Sequence, residues 1–132
     1  MKYLLCALLL SAAGTAHAAG VCGAGTMATM RVSRLIPGGT VAGFNEAVHD
    51  HAAWYASHGL KDDSFVTAPT VTPGRGSTTL STTTFVTIHV YGSGEPKHDA
   101  AWDAYVGKYR ANSTIASEAR FCLPKGAAIA AR

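Results

Sequence analysis

Thr82-Thr83-Thr84-Phe85-Val86-Thr87-Ile88-His89-Val90-Tyr91 is the clearest β-strand in the chain. It is dense in β-branched and aromatic residues, and Gly92-Ser93-Gly94 cuts it off. Alternation divides it into two faces. Val86, Ile88 and Val90 share one; Phe85, Thr87, His89 and Tyr91 share the other. The aliphatic face suits a covering layer of helices, which sets the His89 face outward.

Downstream, the sequence predicts a helix over about 95–111, with Pro96 in its first turn. Its stripe is His98, Trp102, Tyr105, Val106 and Tyr109. A last strand follows over about 115–122. Upstream, residues 64–71 read as a strand in which Pro69 demands an edge position or an early end. Residues 72–77 are a polar connection. A helix over about 41–58 has Thr40 as its cap and Gly59 as its stop. Val41, Phe44, Val48, His51, Tyr55 and His58 form its stripe. The first strand spans about 27–35, with Met30 and Val32 on one face and Arg31 and Ser33 on the other. The order is β-α-β-β-α-β. It predicts an α+β, ferredoxin-like sandwich: an antiparallel sheet with two helices on one face.

The N-terminal segment reads differently. Met1-Lys2, the apolar run from Tyr3 to Ala13 and the small-x-small site Ala16-His17-Ala18 have the three parts of a secretory signal peptide over 1–18. The run is too short to span a bilayer, which takes about 20 residues. The folded domain is then 19–122, with a loose tail over 123–132. A membrane role after cleavage is not expected. The formal net charge is +3 on 132 residues, too weak and too evenly spread to argue for nucleic acid. The chain has three cysteines, and Cys6 leaves with the leader. Cys22 and Cys122 remain, an even pair that in an exported domain reads as a disulfide. The topology agrees. Strands one and four are antiparallel neighbours in a ferredoxin-like sheet, so the start of one lies beside the end of the other.

In element order the chain resembles the dimeric α/β-barrel superfamily. The resemblance rests on Arg31-Val32-Ser33-Arg34-Leu35-Ile36-Pro37-Gly38, on the helix through His51-Ala52-Ala53-Trp54-Tyr55-Ala56-Ser57-His58-Gly59, and on Phe85-Val86-Thr87-Ile88-His89-Val90-Tyr91 leading into helix two. It implies a homodimer whose two sheets close a barrel. The superfamily includes antibiotic-biosynthesis-type monooxygenases, haem-degrading enzymes and stress-responsive proteins, so it does not carry one activity.

Parity brings a chemically rich set onto the face away from the helices. Arg31 and Ser33 come from strand one, Phe85, Thr87, His89 and Tyr91 from strand three, Glu118 and Arg120 from strand four. In a barrel this set lines a lumen able to hold an anionic aromatic ligand. His89 can serve as a base there, with Arg31 or Arg120 steadying an oxyanion. The competing reading is a polar dimer interface with no ligand. His51 and Tyr55 of helix one are a second candidate, either as ligand contacts or as a core histidine and its partner. His49 and His51 point about 200° apart on a helix and do not chelate one ion, so no metal site is predicted. No cofactor is expected either; haem, on His89 or His51, is a remote alternative with no motif behind it. Pro73-Gly74-Arg75-Gly76-Ser77 lacks the Gly-Lys ending of a phosphate loop. Three functions fit: a module binding a small apolar or aromatic ligand, a cofactor-independent monooxygenase-like enzyme, or a structural or interaction unit without a ligand.

Overall fold

The computed structural model describes residues 21–92, 94 and 96–127. The leader over 1–18 and the last five residues of the tail lie outside them. Six elements follow in order: β1 (Thr26–Leu35), α1 (Val41–Ser57), β2 (Ser64–Pro73), β3 (Thr78–Val90), α2 (Ala100–Asn112) and β4 (Ser113–Leu123). The strands form one antiparallel sheet in the order β2-β3-β1-β4. The protein is α+β, consistent with the ferredoxin-like arrangement expected from the order of elements. Among the described residues no helix is long and apolar enough to cross a membrane.

Local chemistry explains the boundaries. Thr40 is extended, and its side chain accepts from the Gly43 N–H, capping α1. Gly59, at φ +84°, turns the chain out of that helix. Pro69 lies on β2, an edge strand, where the register shifts between Pro69 and Val71. Helix α2 begins at Ala100, later than Pro96 suggested. Asp99 decides this: its carboxylate accepts from Trp102 N–H (2.9 Å) and from the Trp54 indole (2.7 Å). One side chain therefore caps α2 and ties it to α1. At the other end, Asn112 Oδ1 accepts from Thr40 N–H (3.0 Å). Gly43 packs so closely on Asn112 that a Cβ there would collide with its side chain. Strand β4 takes in Leu123, one residue beyond the predicted domain edge.

Cys22 and Cys122 form the disulfide, with Cα atoms 5.3 Å apart. The β1–β4 register pairs Met27 with Cys122 and brings the two cysteines together. Closing a loop of this length constrains the unfolded chain by roughly 4–5 kcal/mol.

The side of the sheet that the helices cover corrects the expectation. Phe44 of α1 stacks on Phe85 at 5.1 Å, and the His51 and His89 rings are 5.4 Å apart. Phe85, Thr87 and His89 are therefore buried beneath the helices, with Ser33 and Thr29. Val86, Ile88 and Val90 are on the other face, level with Met30, Val32 and Val66. Aliphatic character was the wrong guide. The helices bring aromatic rings, and a face of rings and paired polar groups packs on them better than a flat Val-Ile-Val row. On α1, Trp54 takes part in the core while Val41 is exposed.

Candidate functional site

Helix α2 stands over β1 and β4, and β4 contributes no buried residue beneath it. The result is a cleft of about 580 Å³ between α2 and the sheet. Arg31, Ser33, Thr87, His89, Tyr91 and Arg120 form its floor. Trp102, Tyr105, Val106 and Tyr109 form its roof, and His51 and Tyr55 of α1 close its inner end. The residues grouped by strand parity thus stand together, but on the sheet face under the helices and not on the opposite one. Phe85 and Glu118 are the exceptions. Phe85 packs on Phe44 away from the cleft, and Glu118 accepts from Arg31 Nε at 2.6 Å.

His89 is 1% exposed. Its Nε2 lies 2.7 Å from Asp63 Oδ2, while Asp63 Oδ1 accepts from the Gly92 N–H at 2.7 Å. Nε2–H donates to the carboxylate, which leaves the lone pair on Nδ1. Phe65 stacks on one side of the ring at 4.1 Å and Tyr91 leans on it at 4.0 Å. Burial pushes the basicity of His89 down, and the hydrogen bond to Asp63 opposes that. Sequence reasoning missed Asp63. The available signal was register: Ser64 pairs with Val90, so the residue before β2 sits at the end of the His89 strand.

His51 is buried in rings. Tyr105 stacks on it at 4.7 Å, and Tyr109 Oη lies 3.4 Å from its Nδ1. Burial, with smaller contributions from His89 and Arg31, lowers its pKa to about 3, so the ring is neutral. Burial likewise raises the pKa of the Tyr105 and Tyr109 phenols above the ordinary value. Both therefore stay protonated and keep an O–H to donate. Tyr91 Oη is 3.1 Å from Thr29 Oγ1. Tyr105 Oη is buried with no hydrogen-bond partner. Among the described residues no cluster of three or more His, Cys, Asp or Glu side chains could hold a metal ion.

Chemically, the cleft offers aromatic walls, guanidinium groups and one carboxylate-oriented imidazole. No known protein family, curated protein or solved structure matches the chain.

Proposed function

We propose that this chain is an exported domain that binds a small aromatic or apolar molecule in the cleft under α2, and that it works as a homodimer. The cleft itself carries the reading. Its volume of about 580 Å³ lies within the roughly 300–1,000 Å³ typical of small-molecule sites, and Tyr and Trp rings form much of its roof. Export is supported by the leader-like N-terminal sequence and by the disulfide, which persists in oxidising compartments.

The uncovered sheet face supports the dimer. Val66, Ile88 and Met30 lie level across three strands, with Val86, Val32 and Phe121 beside them. Contiguous apolar surface of this kind marks an interaction site. In a dimeric α/β barrel, two such faces meet. The ligand then sits in each protomer's own cleft, and the barrel interior is interface.

A second reading is favoured by the Asp63–His89 pair. A carboxylate that fixes an imidazole with a free Nδ1, beside Arg31, is the arrangement of a general base with an anion stabiliser. It suits a cofactor-independent monooxygenase-like enzyme acting on the same ligand. A structural unit without a ligand is the third reading, and the cleft is the feature it leaves without a use.

Native mass spectrometry of the protein purified from its exported fraction tests the proposal. The expected result is a leader-free, disulfide-containing dimer that carries a small-molecule adduct or takes one up. A monomer that takes up none of a panel of small aromatics would overturn it.

A further inference from the structure

The aromatic walls do not account for the charge of the cleft. Arg31, Arg110 and Arg120 are among its lining residues, and no carboxylate is. Glu118, outside the lining, takes Arg31 Nε at 2.6 Å and stands 3.8 Å from Arg120 Nε. Among the described residues no other side chain engages Arg31. Its terminal nitrogens keep their donors, and its positive charge acts on His51, His89, Tyr105 and Tyr109 across the cleft. An anion entering here meets no like charge on the walls.

Tyr105 is the second observation. It is 3% exposed, and its hydroxyl is the one buried side-chain polar atom among the described residues with no hydrogen-bond partner. Neighbouring phenols differ: Tyr91 Oη meets Thr29 and Tyr109 Oη lies near His51. The Tyr105 ring cannot swing to find a partner, because His51 stacks on it and Trp102 packs at its edge at 5.0 Å. Leaving a buried donor unmade costs stability and calls for an explanation. A ligand acceptor supplies one once the side chains packed over the hydroxyl give way on binding, since the hydroxyl itself has almost no contact with solvent. Burial keeps the phenol protonated, the neighbouring tyrosines add to this, and Arg31 opposes it. The group therefore keeps its proton to donate.

We infer that Tyr105 Oη–H and the Arg31 guanidinium receive the acid group of the ligand, which makes the ligand a small aromatic carboxylate. The inference rests on the cleft being a ligand site and names what it selects. The carboxylate accepts one charge-assisted bond from the phenol and pairs with Arg31. The aromatic ring lies among Trp102, Tyr109 and Val106, where ring–ring contact holds it.

Fluorine NMR titration of the mature protein tests this with two probes that share a fluorophenyl ring and differ by the acid group, 4-fluorobenzoate and fluorobenzene. Wild type is expected to bind 4-fluorobenzoate at least tenfold more tightly. Tyr105→Phe is expected to weaken 4-fluorobenzoate by about tenfold or more, to leave fluorobenzene within about twofold, and to raise Tm, since it removes an unpaired buried hydroxyl. If fluorobenzene binds wild type as well as 4-fluorobenzoate does, the acid-group inference is overturned while the cleft stands. The same holds if Tyr105→Phe binds 4-fluorobenzoate unchanged, or if it lowers Tm, which would reveal a structural partner for the hydroxyl. If neither probe binds wild type, the cleft reading falls and this inference with it.

Discussion

The two faces of the sheet have exchanged their usual roles. Beneath the helices lie Thr29, Arg31, Ser33, Thr87 and His89; on the uncovered side lie Met30, Val32, Val86, Ile88 and Val90. The inner face tolerates this because its polar groups are paired. Thr87 meets Thr67 at 3.0 Å, Thr29 meets Tyr91, and His89 meets Asp63. The outer face is apolar, and among the described residues no helix or strand covers it, so burial energy is still to be gained there. The difference teaches that polarity in a sheet follows from what each side must do. On the proposed reading, one side holds the ligand site and the other is the dimer contact.

The comparison breaks first, and most severely, at the buried pair. His89→Phe fills the same space but leaves the Asp63 carboxylate, 1% exposed, with only a backbone partner. We expect a loss of about 3–5 kcal/mol in urea denaturation. Adding Asp63→Leu should recover most of it, because two apolar groups can replace a pair that one cannot.

Matched charges sharpen the contrast next. Thr87→Lys places an ammonium under the helices and should cost about 3 kcal/mol or more. Ile88→Lys, one residue along, should cost a protomer less than about 1 kcal/mol while converting dimer to monomer in size-exclusion with light scattering. Equal costs at the two positions would mean that the faces are not distinct.

A pH dependence gives the most gradual effect. His51 has its folded-state pKa lowered to about 3 from 6.5. The unfolded chain therefore binds a proton that the folded one refuses. The stability from burying the neutral ring is present above pH 6.5 and is lost as pH falls from there toward 3. The slope is about 1 kcal/mol per pH unit. His89, lowered in the same direction, adds to it. His51→Phe should flatten the slope in urea melts taken between pH 6 and pH 4.

Much of this was legible in the sequence, and the limit has a physical form. Element order, the Cys22–Cys122 bridge, the Thr40 cap and the edge placement of Pro69 each follow from local chemistry or compartment. Period-two alternation also grouped Arg31, Ser33, His89 and Tyr91 correctly on one face. Alternation cannot say which face a helix will cover, however. Val86-Ile88-Val90 looked like the core because hydrophobicity alone ignores the rings brought by Phe44, His51 and Tyr105. The roof residues Trp102, Tyr105 and Tyr109 read as one stripe of a helix, and a helical stripe does not show that β4 leaves space beneath it. Asp63 was invisible because its partner is reached across a strand pair. Asp99 was overlooked because Pro96 is the stronger local sign of a helix start.

The central claim is that ligand chemistry lies on the helix-covered face and protein contact on the open one. A two-dimensional amide NMR titration of the mature protein with 4-fluorobenzoate tests it most directly. The account predicts saturable shifts at Arg31, Trp102, Tyr105 and Tyr109 and none at Val32, Val86 or Ile88. Shifts confined to Val32, Val86 and Ile88, or no saturable shift anywhere, would contradict it.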